Sequence, residues 1–416
     1  MESLRYLYKI GKGPSSSHTM GPNKAAAIFK KKYPDADFFK VILYGSLSET
    51  GKGHKTDEAV LQALEPTETE IVFAKPPYPE LPHENTLDFF AYKNGKEIGK
   101  DRVMSIGGGN IRFEGQTQYD NPQVYKENSF ADISKYCLAN NIRLSDYVFQ
   151  NEGDSIIEYL DEVWSVMKQS ISDGLSTSGI LDGGLNVERK AQLLYNQRHI
   201  DESDVTRENR LVCSYAFAAS EQNAGGGTIV TAPTCGACAV VPSVLKYMQD
   251  KKGFSDSDII RALAAGGIVG NLVKTNASIS GAECGCQAEI GTACSMAAAA
   301  LCELFEMGLG QIEYAAEVAM EHMLGLTCDP ICGLVQIPCI ERNAVAAMRA
   351  LNALSLANFL SNTRKISFDT VVRTMYQTGK DMSARYRETA LGGLAEMAYQ
   401  KSENRGQMTE TAKGQG

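Results

Sequence analysis

Two cysteine-bearing turns bracket the stretch 281–343. The first reads Gly281-Ala282-Glu283-Cys284-Gly285-Cys286-Gln287-Ala288-Glu289. The second reads Cys328-Asp329-Pro330-Ile331-Cys332-Gly333-Leu334-Val335-Gln336-Ile337-Pro338-Cys339-Ile340-Glu341-Arg342-Asn343. Cysteine thiolates are the soft ligands that iron–sulfur clusters and zinc select. Pro330, Gly333 and Pro338 make the second turn irregular, and irregular backbone offers N–H groups to cluster sulfurs. A long Ala-rich helical segment between the turns is expected to bring them together. There is no compact four-cysteine run, so the spacing leaves a second reading open: buried free cysteines packed as small hydrophobes.

A second set of reactive residues lies near the start. Gly11-Lys12-Gly13-Pro14-Ser15-Ser16-Ser17-His18-Thr19-Met20-Gly21-Pro22 is a Gly/Pro-framed loop with hydroxyls crowded around one histidine. Pro22 suits the start of a helix over 23–32. N–H groups and hydroxyls at a helix N-terminus make a carboxylate site, although such a loop also serves as a simple cap. Thr50-Gly51-Lys52-Gly53-His54-Lys55-Thr56-Asp57 repeats the arrangement. His54 precedes a predicted helix over 58–64, as His18 precedes its own. A lone loop histidine is commonly solvent-facing and idle; two in matching settings point to shared chemistry.

These groups need elements to position them. Residues 38–43 read as a strand, and 87–92 with 96–106 as a hairpin around Asn94-Gly95. Gly107-Gly108-Gly109 has no GK[ST] after it and is weak evidence for phosphate binding. The polar stretch 121–128 reads as a boundary. From Phe130 the pattern is helix after helix: 154–171, 188–196, 204–222, 257–273, 343–360 and one from 368. The fold class is therefore an α+β N-terminal domain, 1–127, followed by a mostly α-helical catalytic domain, 128–400. A mobile tail over 401–416 completes the expectation. Cys235 and Cys238 have CxxC spacing but neither a second pair for zinc nor a βαβ setting for redox chemistry. Lys274, beside several hydroxyls, reads either as a substrate carboxylate clamp or as an ordinary surface lysine.

The chain of 416 residues carries a formal net charge of −9, which disfavours nucleic acid and anionic membranes as partners. Residues 1–10 do not read as a signal peptide, and the apolar run 291–301 is too short to span a bilayer. Eleven cysteines, an odd count, argue against a disulfide framework and for a reducing, cytoplasmic location.

Taken together, these motifs resemble the iron–sulfur-dependent L-serine dehydratases (L-serine ammonia-lyases), in the form with both domains fused. The resemblance rests on the His18 and His54 loops and on Gly183-Gly184-Leu185-Asn186-Val187-Glu188-Arg189. It rests also on Thr231-Ala232-Pro233-Thr234-Cys235-Gly236, Asn276-Ala277-Ser278-Ile279-Ser280 and both cysteine turns. It covers nearly the whole chain. It implies a [4Fe–4S] cluster held by Cys286, Cys328 and Cys339. It further implies an N-terminal domain similar to the allosteric substrate-binding domain of some phosphoglycerate dehydrogenases, and homodimers. Some members end in a cysteine that reaches the cluster. This chain ends Lys413-Gly414-Gln415-Gly416, so water or hydroxide is expected on the fourth iron, with Cys284 or Cys332 as the alternative.

The chemistry implied is loss of the β-hydroxyl of L-serine, giving pyruvate and ammonia. Iron acts as a Lewis acid toward the leaving group, and a positioned base takes the Cα proton. His18 or His54 is the expected base. Ser16, Ser17, Thr19, Thr56 and Lys274 are expected to hold the substrate carboxylate and amine. The rival readings are a cysteine desulfidase on the same scaffold, a pyridoxal-phosphate dehydratase and a non-catalytic amino-acid sensor.

Overall fold

The computed structural model describes residues 1–115, 121–198, 200–388 and 392–396. The expected tail over 401–416 lies outside these residues. Two hydrophobic cores account for the architecture.

The chain begins in the larger core. Leu4, Leu7 and Tyr8 are buried among helices that come more than a hundred residues later. Strand β1 (Ile10–Lys12) pairs antiparallel with a strand far along the chain, Thr228–Val230. The first dozen residues thus pack with the helical body, whereas the sequence assigns them to the N-terminal domain. The reason is that their partners are distant in sequence, so no local pattern shows them.

After β1 the chain leaves to build the smaller core. Five strands follow: β2 (Phe38–Leu43), β3 (Glu68–Phe73), β4 (Thr86–Lys93), β5 (Lys96–Gly107) and β6 (Asn110–Phe113). They form one sheet in the order β3-β2-β4-β5-β6, with only the β2–β3 pair parallel. Phe39, Val41 and Leu43 of β2 are buried and alternate with half-exposed neighbours, the period-2 pattern of a strand with one face on a core. Helix α1 (Gly21–Lys32) places Phe29 against Phe39 and Phe89, at ring separations of 5.7 and 5.1 Å. The short helix α2 (Ser46–Glu49) and then α3 (Thr56–Leu64) make the crossover from β2 to β3, and α3 lies beside α1. Gly107, Gly108 and Gly109 all have positive φ, so the Gly run is a tight β5–β6 turn. It rests on Ile279 and Ser280, just before the first cysteine turn.

The larger core holds α4 (Phe130–Asn140), α5 (Leu144–Glu152), α6 (Ser155–Ser176), α7 (Ala191–Asn196) and α8 (Asp204–Ala224). Strand β7 (Thr228–Val230) leads on to α9 (Val240–Lys252), α10 (Asp256–Asn276), α11 (Gly281–Cys284), α12 (Thr292–Leu304) and α13 (Leu309–Glu321). Helices α14 (Cys339–Leu360) and α15 (Phe368–Asp381) follow. Serines 129, 203, 255 and 367 cap α4, α8, α10 and α15 by accepting an N–H of the first turn. Every residue of α12 is buried, so this helix is the axis of the body. Small residues permit that: a Cβ on Gly266 of α10 would stand 2.7 Å from the Met296 carbonyl of α12.

The Ala-rich helical segment consists of two helices, α12 and α13, joined at 305–308. Glu306 has positive φ there and Gly308 opens the next helix in extended conformation. The hairpin sends the chain back on itself, which returns Cys328 to Cys286. No helix among the described residues is long and apolar enough to cross a membrane.

Candidate active site

Two helix entries and two cysteine turns meet at one place. His18 sits in a π-helical turn, Ser16–Met20, that runs directly into α1. His54 sits in the turn just before α3. Because α1 and α3 lie side by side, the loops before them converge, and the two imidazole centroids are 4.4 Å apart. Both rings are buried.

Their hydrogen bonds differ. The His18 Nδ1 is 2.9 Å from the Ser17 hydroxyl and its Nε2 is 2.9 Å from the Ser46 hydroxyl. The His54 Nδ1 is 3.1 Å from the Thr50 carbonyl, an acceptor only, so Nδ1 carries the proton and Nε2 the lone pair. Burial and the neighbouring His54 hold His18 well below the usual imidazole range. Burial pushes His54 down to about 4, against the opposing effect of its bond to Thr50. Both rings are therefore neutral at physiological pH.

The remaining predicted residues fall into four groups. Ser16 and Ser17 are buried in the His18 turn. Thr19 serves the histidines from behind: its hydroxyl donates to the His54 carbonyl at 2.7 Å and accepts the Ser15 N–H at 3.2 Å. The Thr56 hydroxyl is fully buried with no hydrogen-bond partner, a group that a bound ligand would satisfy. Lys274 makes its contacts elsewhere: its ammonium is 2.5 Å from Glu2 Oε2 and 3.1 Å from the Tyr6 carbonyl. That leaves it neutralised at the helical body's surface with the N-terminal segment.

Cys286 ends the first turn and precedes a second π-helical turn, Gln287–Gly291, that runs into α12. Such turns recur at functional sites, and here one stands at each half of this site. Sγ of Cys286, Sγ of Cys328 and a carboxylate oxygen of Glu289 all lie within 4.8 Å of one another. The Cys328 thiol points at Glu289 Oε2, 3.9 Å away. Cys339 is the first residue of α14, where the helix N-terminus favours negative charge. Its thiol is raised by burial and by the proximity of Cys286 and Glu289. The Cys328 thiol is raised by its hydrogen bond with Cys286 and by burial, and the Glu289 carboxyl by burial. The Cys328 and Cys339 thiols and the Glu289 carboxyl therefore resist ionising, and a bound cation reverses that resistance. The donor set, two buried sulfurs and the half-buried Cys339 from three segments, suits a soft metal centre.

The surroundings fix these donors. The Gln287 side chain donates to the Cys284 and Met375 carbonyls and accepts the Gly325 N–H, tying the first turn to α15 and to the segment that follows α13. Arg342 donates to the Thr327 carbonyl at 2.6 Å and to Asp329 Oδ1 at 2.9 Å, which clamps the peptide on either side of Cys328. Cys284 faces Gly379 of α15, and Cys332 is exposed at positive φ. Cys235 and Cys238 are free and buried, with Cys235 Sγ 3.3 Å from the Met20 sulfur.

The sequence reading overlooked Glu388, which joins the two halves. A ligand atom from each of His18, His54 and Glu388 lies within 4.8 Å of the others. The Glu388 peptide N–H donates to the Cys328 carbonyl at 2.8 Å. Its carboxyl accepts the Ala282 N–H, and burial, with Glu289 and Cys286 adding to it, pushes it up to about 8. Glu289 and Arg342 stood in the quoted motifs without a role, and Ser46 was not singled out. Glu388 is 49 residues beyond the last cysteine (388 − 339), so no spacing rule links it to them.

Comparison with known proteins gives the family. Residues 80–395 match the family model "Serine dehydratase alpha chain" and residues 3–75 match "Serine dehydratase beta chain". The chain is 41% identical to L-serine dehydratase 2 of Escherichia coli, over 95% of this chain and 98% of that one. It is 40% identical to an L-serine dehydratase of Haemophilus influenzae, over 95% and 99%, and 39% identical to one of Streptomyces coelicolor, over 94% and 97%.

Proposed function

This chain belongs to the serine dehydratase family and its activity is that of an L-serine ammonia-lyase; from that premise we propose that it works through a [4Fe–4S] cluster on Cys286, Cys328 and Cys339, with His54 as the base. The observation that supports the reading is that Glu388, grouped with His18 and His54, also feels Cys286 and Glu289, which are grouped in turn with Cys328. Bound there, such a cluster would supply Lewis acidity that would make the β-hydroxyl a better leaving group.

The rest is done by the chain. The substrate carboxylate is held at the N-termini of α1 and α3, by the hydroxyls of Ser16, Ser17 and Thr56 and the N–H groups there. The unpartnered Thr56 hydroxyl supports that role. His54 Nε2 takes the Cα proton, because its tautomer is fixed by Thr50 while both nitrogens of His18 are engaged by serine hydroxyls. His18 packs against that ring and orients it. Glu388, whose carboxyl burial raises, stands between the imidazoles and the thiols. It delivers a proton toward the departing hydroxyl. Elimination leaves aminoacrylate, which tautomerises and hydrolyses to pyruvate and ammonia. In this reading Thr19 positions His54, and Lys274 has no part in binding.

We read the enzyme further as a cytoplasmic homodimer. Exposed apolar side chains such as Ile180, Leu193 and Val205 offer a second copy surface to cover. Sedimentation of the purified protein tests the dimer. The main test is anaerobic purification, iron and sulfide analysis, and a serine-to-pyruvate assay on His54→Ala. Turnover should fall roughly 10²–10⁴-fold with the cluster spectrum intact. Near-normal turnover in His54→Ala would overturn the assignment of the base.

A further inference from the structure

A cavity of about 980 Å³ opens between the sheet unit and the helical body. None of His18, His54, Glu388 or the three site cysteines lines it, but Thr19 does. Its wall carries five basic side chains, Arg5, Lys9, Lys12, Lys24 and Lys55, against two acidic ones, Glu58 and Glu162. On a chain of net charge −9 that is a local reversal of sign.

Lys9 is the informative member. Its ammonium donates to the Gly108 carbonyl and to Asn110 Oδ1, each at 2.6 Å, and forms no ion pair among the described residues. Burial lowers it to about 7, and Lys274 and Lys24 push the same way against Glu2. A part-buried amine crowded by like charge, with Glu2 opposing only in part, is favoured by a further counter-charge. Lys24 is also lowered by burial. Lys12 is exposed at the rim. Of the other two, Arg5 is spent on the Ser155 carbonyl and the Tyr159 ring, and Lys55 stands 3.6 Å from Asp182. The wall facing the histidines is thin. The Thr19 hydroxyl donates to the His54 carbonyl, and Lys55 is the next residue after His54, held at positive φ.

We propose that this cavity is a regulatory binding site for a small multivalent anion, carrying phosphate or carboxylate groups, whose occupancy is felt at His54 through Thr19 and Lys55. The second half rests on the reading of His54 as the base. A zwitterion such as serine does not call for this excess of cations, so the ligand is a different molecule from the substrate.

The test is calorimetry on the anaerobically purified holoenzyme, with inorganic phosphate and tricarballylate as separate probes at ionic strength held constant with KCl. Saturable binding of at least one probe is expected, and the stronger of the two identifies the favoured headgroup. The double variant Lys12→Gln/Lys24→Gln should bind at least tenfold more weakly while keeping wild-type turnover without probe. Saturating probe should change wild-type serine turnover at least twofold and leave the double variant unmoved. Heats no different from KCl, equal affinity in the double variant, binding without a change in turnover, or displacement of the probe by serine would each overturn the proposal. Calorimetry needs no catalysis: should His54→Ala prove active, the fault lies in the reading of the base, and the binding result still judges the site.

Discussion

Replacing Gly281 by alanine should disable the proposed metal centre while leaving the fold standing. An ideal Cβ at this position lies 2.7 Å from Glu289 Oε2 and 3.1 Å from the Cys328 sulfur. To reach ordinary contact at 3.4 Å, the carboxylate must move about 0.7 Å and the sulfur about 0.3 Å. Neither can swing into solvent. Glu289 and Cys328 are held within a buried group, and the opposite carboxylate oxygen, Oε1, faces Gly236. Gly281 has ordinary helical geometry, so backbone strain plays no part. Overpacking of this kind costs roughly 1–3 kcal/mol, within the reserve of a stable protein. A misplacement approaching 1 Å at a reacting centre costs on the order of 10²-fold. Turnover should therefore fall roughly 10- to 100-fold, with iron and sulfide per chain reduced after anaerobic reconstitution. Gly236→Ala is the control, because its Cβ would meet Glu289 Oε1 at 3.4 Å, an ordinary contact. Full iron content and turnover in Gly281→Ala would refute the reasoning, as would equal damage from Gly236→Ala.

Three further outcomes are expected. Cys328→Ser should lose most of its iron, measured by elemental analysis, whereas Cys235→Ser and Cys284→Ser should keep it; full iron in Cys328→Ser removes that residue from the ligand set. Because His54 is depressed to about 4, the proposed base stays neutral as pH falls through 6.5. The acid limb of kcat/KM should then lie well below pH 6.5 while the cluster absorbance persists, and a histidine limb near 6.5 would contradict the buried setting. Gly379→Ala should destabilise by roughly 1–3 kcal/mol in urea unfolding. Its Cβ would stand 2.6 Å from Cys284 Cβ and 2.7 Å from the Cα, against the helix-propensity gain of about 1 kcal/mol that alanine otherwise brings. Unchanged or greater stability would count against the close packing of α15 on α11.

What the sequence revealed is what leaves a local trace. Strand β2 was legible because Phe39, Val41 and Leu43 recur with period two, and α1 because Pro22 opens it. The histidine loops were legible as a pair because each combines glycine, hydroxyl and helix start, and the structure adds why they meet: the helices behind them are neighbours. Relations across the chain left no trace. Lys274 looks like a free clamp until Glu2, 272 positions away, is seen to neutralise it. Glu388 reaches the histidines only because its segment pairs with Cys328, through a bridge between Arg387 and Cys328. The α12–α13 hairpin hid in an Ala-rich run whose periodicity suits one helix or two.

The β1–β7 pairing carries a consequence for how the protein comes into being. Lys12 is matched to Thr228, 216 positions later (228 − 12). A ribosome adding roughly 5–20 residues per second delivers the second strand about 10–40 s after the first. The sheet unit has its own core and all its strands by residue 113, so it can close early. Leu4, Leu7 and Tyr8 meanwhile remain uncovered, a greasy leader waiting for the helices that will bury it. Severing the chain between the two units would not yield two clean modules. The front fragment would carry a strand belonging to the other, and reassembly would begin with that strand finding its place, so the interval before the helical body appears is when a chaperone has most to do.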